Sequence, residues 1–434
     1  MRRFLQDAVR WTKWRKNFCA AAADGAKEKD LCRLMNLKFG LIQASYWMTY
    51  CVMFTYLVPL YESFGYGEFL SGVIAMIGTA VLTAAQPLWG VLCDRVKRIK
   101  PVLVAVLLAG AGAALLLPLG KGSVAVTVTA VVLLAATTQS LMYLFDTWSA
   151  RLQREGARLS FGLTRSCGSV FYALTAAFFG LALDRFGFSI MTPVFIGLSL
   201  CVILAVLAVK EPRQTSPARE TEGAAQADFW PAVKRLMTDR RYLCLLVATF
   251  LTFFGSTGIM LFLPLRVAEI GGGNYEYGLA LLVMAFSEVP ALLLYRRFSA
   301  RFSTWTLHAA ALFFTAVKVA AIALAPSLWL LIALMVVQGP SNGVYLTTNV
   351  RYVPEIVEPQ LTYTAQTVIG AVASGAAGIA SSLYMGAAVE RFGLQTAMIT
   401  LIFIAFSGFL VFAAPVLARR KGGKKKHDQP DFQL

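Results

Sequence analysis

From Leu37 to Leu417 the chain is a succession of long apolar runs separated by brief polar breaks. Each run is about 20 residues, the length at which a helix crosses a hydrocarbon core roughly 30 Å thick. Apolar residues are continuous within the runs and do not alternate with polar ones, which argues against the strands of a barrel. Lipid offers a backbone no hydrogen-bond partner, so each run must close its own bonds as a helix. Twelve spans follow: 37–61, 69–92, 101–119, 123–145, 163–183, 190–209, 242–265, 275–295, 305–324, 328–350, 361–388 and 396–417. The pattern predicts an all-α polytopic membrane protein with twelve transmembrane helices.

One polar break is long. Residues 210–241 contain EPRQTSPARETEGAAQ and divide the spans six and six, so they read as a cytoplasmic linker between an N-terminal half, 37–209, and a C-terminal half, 242–417. The halves echo each other: GLALDRFGF starts at Gly180 after the fifth span, and GAAVERFGL starts at Gly386 after the eleventh. The same string at the same place in each half implies an internal parallel repeat, hence two pseudo-symmetric six-helix halves. Ahead of the first span, in the basic segment 1–36, Phe4, Ala8, Trp11, Trp14 and Phe18 recur at helical spacing among Arg and Lys. That suits a basic helix lying on anionic lipid, or equally a solvated tail that obeys the charge rule. The basic tail 418–434 has no apolar face and reads as disordered.

Composition excludes a soluble globule. Of 434 residues, 58% are hydrophobic and 15% charged, against about 25% charged in ordinary soluble chains. A net charge of +17 could suggest nucleic acid, but the basic residues lie in loops and tails between apolar runs, where they act as topology signals. Lys121, Arg185, Arg266 and Arg391 fall on one side of the predicted spans. Apart from Arg165 and Lys318 inside helices, the rest of the 40 Lys and Arg fall on the other. By the positive-inside rule that second side is cytoplasm, with both termini on it, in an inner membrane. No small-residue cleavage site follows the leader, so a removable signal peptide is not expected. Seven cysteines without CxxC spacing read as buried thiols, and two histidines complete no metal or haem set. With no nucleophile–base set and no phosphate-cradling loop, neither an enzyme nor a cofactor is expected.

After the second span comes PLWGVLCDRVKRIKPVL. It resembles the loop motif of the major facilitator superfamily, G-x-L-x-D-R-x-G-R-(R/K), with Gly90, Leu92, Asp94, Arg95 and Arg98 in place and Lys97 where the family has a second Gly. An acid at a helix end can cap a neighbouring helix and bind adjacent guanidinium groups, so Gly90, Asp94, Arg95 and Arg98 are candidates for a conformational gate. Further strings run through both halves: PLYESFGY from Pro59; Phe161, Gly162, Arg165, Gly168 and Ser169; Glu288-Val289; Lys318 where the family has Arg; VVQ before Gly339; Arg351-Tyr352; and Ala365-Gln366. Together they are similar to the branch holding lactose permease, nucleoside–proton symporters and phenylpropionate permeases. The resemblance implies the major facilitator fold and alternating access around a midplane site.

Ionisable groups inside spanning helices are costly and need a reason. Asp146 closes the fourth span and Arg165 opens the fifth, at depths that make an ion pair across the hairpin easy. In lactose permease an acid–arginine pair from these two helices holds the sugar; Arg165 matches its motif position, and Asp146 matches if one residue is inserted. Arg165, Ser169 and Tyr172 share one helix face, a plausible substrate wall. Gln338, Asn342, Tyr345 and Asn349 form a polar stripe at helical spacing on the tenth span, which should line a wet cavity or bond helix to helix. Shorter stripes run through Gln139, Tyr143 and Asp146 on the fourth span and Gln43, Tyr46, Tyr50 and Phe54 on the first. Glu288 and Lys318 are the proton-coupling candidates, although their depths from opposite surfaces argue against direct pairing. Ser341 stands at the family's histidine position, which removes one proton relay.

The function expected is a secondary active transporter that moves a small organic solute, a sugar, nucleoside or aromatic acid, by proton-coupled symport. Its partners would be the solute, protons and membrane lipids, with no nucleic acid, and it would act as a monomer. An efflux antiporter of amphipathic compounds and a non-transporting receptor or scaffold are the alternatives.

Overall fold

A computed structural model describes residues 34–96, 98–154, 159–209 and 229–422. The lipid-binding segment proposed before residue 34, the tail beyond 422 and most of the linker lie outside those residues. Eleven helices are long and apolar enough to cross a membrane. They are α2 (Glu68–Val96), α3 (Ile99–Gly122), α4 (Val124–Asp146, continuing to Arg154), α5 (Phe161–Phe186) and α6 (Phe188–Leu207) in the first half. In the second half they are α7 (Arg240–Leu261), α8 (Asn274–Ser299), α9 (Thr304–Leu324), α10 (Leu328–Ile356), α11 (Thr364–Phe392) and α12 (Leu394–Gly422). The remaining member, α1 (34–63), is broken by a π turn at Cys51–Thr55 and resumes at Leu57–Ser63. Several helices outrun the predicted spans because a charge ends an apolar run without ending the backbone ladder. From the linker, the short helix Phe229–Thr238 is described, held by an Arg235–Glu358 ion pair.

The chain stops its helices in the same way in both halves. Gly65, Gly187, Gly271 and Gly393 all take positive φ, where a side chain would be strained and glycine is not. They pair across the halves at a constant register of 206 residues, 65 with 271 and 187 with 393. The breaks in α1 and α7 keep that register: Tyr56 (φ −104°, ψ 18°) answers Phe262 (φ −100°, ψ 9°). The repeat anticipated from Gly180 and Gly386 therefore extends through the architecture.

Contact between the halves follows the same two-fold relation. A Cβ on Gly180 would lie 2.2 Å from the Asn274 carbonyl oxygen, and one on Gly278 2.1 Å from that of Ala176, so α5 and α8 touch backbone to backbone. The counterpart pair is α2 with α11, where a Cβ on Gly72 would lie 2.6 Å from the Ser382 carbonyl oxygen and one on Gly386 3.0 Å from that of Glu68. Near the end carrying Lys121 the halves share one apolar core, in which Tyr56, Ala176 and Phe179 pack with Phe262, Ala280 and Met385. At the opposite, basic end each half keeps its own core, around Phe39, Trp148 and Val209 in one and Tyr242, Val353 and Phe412 in the other. Among the described residues no apolar core joins the halves at the basic end, so the space between them opens in that direction. Outward-facing side chains such as Phe178, 69% exposed, and Phe403, 71% exposed, require lipid as solvent.

Candidate functional site

Charged and polar side chains converge in that space from both halves. On the C-terminal side, α10 is interrupted at Gly339–Gly343 by a π turn containing Pro340. The turn presses against α8: a Cβ on Gly339 would lie 2.4 Å from the Ser287 carbonyl oxygen, and one on Gly343 3.6 Å from Glu288 Cα. This approach delivers two amides to one carboxylate. Gln338 Nε2 and Asn342 Nδ2 each donate to Glu288 Oε1 at 2.8 Å. Lys318 on α9 is 3% exposed and donates through Nζ to Gln338 Oε1 and to Ser256 Oγ on α7, both at 2.9 Å. Lys318 and Glu288 thus do not pair directly, as their depths implied; the Gln338 amide spans the gap, accepting from the cation and donating to the anion. Glu288 Oε2 has no hydrogen-bond partner among the described residues.

The N-terminal side is assembled on α1. Gln43 Nε2 donates to Asp146 Oδ1 at 3.3 Å, while Gln43 Oε1 accepts from the Trp47 indole N–H at 3.1 Å. The Arg165 guanidinium lies over the Trp47 ring, 4.3 Å from its centroid. Tyr172 meets the same indole edge-on at 6.0 Å and shares a hydrogen bond with Thr55, 3.2 Å apart. Tyr50 and Phe54 continue the aromatic wall. The direct Asp146–Arg165 ion pair expected from sequence does not form; amide and indole stand between acid and cation. Arg165 on α5 and Glu288 on α8 stand on the two helices that touch backbone to backbone across the halves, so the two walls face one another.

Of the predicted site residues, Asp146, Arg165 and Tyr172 join the first wall, with Ser169 half-buried on the same helix. Gln338, Asn342, Glu288 and Lys318 join the second. Tyr345 does not: it is 5% exposed and packs against Phe253 and His308, at ring distances of 4.7 and 5.3 Å. Asn349 buries its Oδ1 with no hydrogen-bond partner among the described residues. The π turn explains the split, because its wider coil rotates residues beyond it off the face that an uninterrupted helical repeat predicts. Arg98 precedes α3 as an exposed residue in extended conformation. The side chains of Gly90, Asp94, Arg95 and Tyr143 lie outside the described part. Sequence reasoning passed over Trp47 and Ser256; Trp47 lies four residues after Gln43 and could have been read as part of its stripe.

Residues 43–400 match the model of the MFS_1 like family. The chain is 29% identical over 356 residues to a maltose permease of Geobacillus stearothermophilus, covering 82% of this chain and 88% of that one. It is 23% identical over 313 residues to an uncharacterized transporter, YwbF, of Bacillus subtilis (strain 168), covering 70% and 74%. Among solved structures, the nucleoside transporter NupG superposes with a TM-score of 0.75 at 15% identity, over 90% of this chain and 99% of that one. A bacterial homologue of the lysosomal transporter Spinster, solved inward-facing and unoccupied, gives a TM-score of 0.65 at 14% identity, covering 90% and 98%. With twelve helices in two pseudo-symmetric halves and a family match across most of its length, the chain belongs to the MFS_1 like family, and it is a multi-pass membrane transporter, not an enzyme.

Proposed function

We propose that the protein is a proton-coupled symporter that imports a sugar through the cavity between its halves. The observation that carries this reading is the setting of Glu288. One of its oxygens accepts two amide donors while the other has no partner among the described residues, so the carboxyl can take up a proton at Oε2 without breaking the bonds that hold it. The cationic neighbour, Lys318, is kept one amide away and does not lock the carboxylate as an ion pair. Facing it, Arg165, Asp146 and the aromatic wall of Trp47 and Tyr172 supply charged donors and acceptors with flat apolar surfaces, the mixture that suits a ring carrying hydroxyl groups. The maltose permease among the relatives supports the sugar class.

In this reading residues 37–209 and 242–417 rock about the site, joined by the linker 210–241, and the basic end lies in the cytoplasm with both termini. The cavity described is then the inward-open one. The first test is a thermal-shift screen of purified protein against maltose, uridine and phenylpropionate, because a ligand that binds only the native state raises its apparent stability. Stabilisation by maltose alone supports the sugar reading. Stabilisation by uridine or phenylpropionate in its place moves the substrate class and leaves the transport mechanism standing.

A further inference from the structure

We propose that Trp47 is the positioning residue that presents the Arg165 guanidinium to the solute, and that position 168 is glycine in order to seat it. This builds on the transport reading but not on which solute is carried.

An arginine has a long flexible stem, and in a wet cavity it needs something to fix its plane. Trp47 does so from below, with the guanidinium carbon 4.3 Å from the ring centroid. Held over the ring, the cation is stabilised by the π face and, among the described residues, forms no ion pair with a protein carboxylate, so its five N–H donors are not committed to a protein acceptor. A bidentate ion pair would engage two of them with a carboxylate. Asp146, the nearby acid that could do this, is instead occupied by the Gln43 amide, and that amide is oriented by the indole N–H of the same Trp47. One side chain therefore holds the cation by its face and, through Gln43, keeps the competing anion engaged. Among the described residues Arg165 makes no hydrogen bond and no ion pair. The result is a guanidinium with a defined plane and unspent donors, suited to two neighbouring oxygen acceptors, the adjacent hydroxyls of a sugar or the carboxylate of an organic acid.

Gly168 makes this seat possible. It lies three residues after Arg165 on α5, and a Cβ there would stand 2.4 Å from Trp47 Cδ1, 3.0 Å from Nε1 and 3.2 Å from Cγ. These atoms belong to the body of the indole, which cannot bend aside as the tip of a flexible chain can. Tyr50, at 5.2 Å, and Tyr172, at 6.0 Å, close two further sides. Alanine at 168 must therefore displace Trp47, and with it the plane of Arg165.

The test compares uptake of labelled maltose by proteoliposomes carrying wild type, Trp47→Phe, Trp47→Leu, Gly168→Ala and the Gly168→Ala/Trp47→Leu pair. Trp47→Leu should raise KM about tenfold, the effect of losing a desolvated cation–π contact, and Trp47→Phe should raise it less. Vmax should stay within about twofold, because a purely structural role would lower Vmax through loss of folded protein at constant KM. Gly168→Ala should raise KM, and the pair should fall back to the Trp47→Leu value because, without the indole, the added methyl has no ring to displace. Wild-type KM in Trp47→Leu, or simple additivity in the pair, overturns the assignment. If wild type takes up no maltose, the sugar reading fails and the positioning claim is decided without ligand. Trp47 emission, taken as the difference between a protein and its Trp47→Phe version, should shift in both Arg165→Gln and Gly168→Ala; unchanged emission in both overturns the claim.

Discussion

Asp184, at the end of α5, caps the first turn of α8 in the other half: its Oδ1 accepts from the Asn274 backbone N–H at 3.0 Å and from Asn274 Nδ2 at 2.8 Å, and its Oδ2 accepts from the Tyr275 N–H at 2.8 Å. The repeat-related acid, Glu390, accepts no such bond among the described residues. Its partner position, 206 residues before Asn274, is Glu68, a second acid. One of the two symmetric contacts is thus latched and the other is not.

Removing the latch should loosen the Lys121 end. Asp184→Ala loses a helix cap, worth about 0.5–2 kcal/mol, and should lower the unfolding midpoint, whereas Glu390→Ala should not. Ser71, 2% exposed, lines a cavity of about 280 Å³ at this end together with Glu62, Glu68, Phe262 and Leu265. A cysteine at 71 should react faster with maleimide once Asp184 is replaced. Equal labelling rates with and without Asp184 would show that the contact does not hold the halves closed.

The bridge through Gln338 makes a second prediction. Gln338→Leu leaves Lys318 short of an acceptor and Glu288 short of a donor, each a buried or half-buried group whose missing bond costs about 1–3 kcal/mol. The variant should unfold at lower temperature, and adding Lys318→Met should recover part of the loss by removing the orphaned cation. A Gln338→Leu protein as stable as wild type would mean that water replaces the amide.

How much of this was legible follows from what each residue is constrained by. Helix number and order were readable because lipid forces every apolar run to be a helix, and the two-fold relation was visible in Gly180 and Gly386 because backbone contact admits little else there. Arg165, Asp146, Glu288 and Lys318 stood out because charge inside a span is expensive. The mediators did not. Gln338 was read as one member of a stripe, since only the π turn at Gly339–Gly343 separates it from Tyr345, and local winding is not written in apolar periodicity. Trp47 was passed over because its role depends on Gly168, which is distant in sequence.

Asp146 and Arg165 should separate structure from binding. Asp146→Asn replaces the carboxylate that accepts from Gln43 by a neutral amide and removes an anion near Arg165; because the two charges are not paired, it should cost only about 1–3 kcal/mol, the loss of a partly buried hydrogen bond. Neutralising both, with Asp146→Asn and Arg165→Gln, should restore folding but not maltose-induced stabilisation. Wild-type binding by the double variant would make the two charges structural.

Topology is checked in intact cells with single cysteines in a cysteine-free background. Positions 121, 185 and 391 should label with an impermeant maleimide from outside, and positions 98 and 297 should not. Labelling of 297 but not 121 would reverse the orientation proposed for the basic end.

The central claim is that Glu288 carries the coupled proton, and Glu288→Gln in proteoliposomes tests it most directly. Glutamine keeps an oxygen for Gln338 and Asn342 but cannot exchange a proton. Two activities are measured on the same vesicles: maltose accumulation driven by a pH gradient, and exchange of labelled for unlabelled maltose at equal pH. Loss of accumulation with exchange preserved is the predicted result, because exchange needs no net proton movement. Accumulation that persists in the variant, driven by the pH gradient as in wild type, would contradict it.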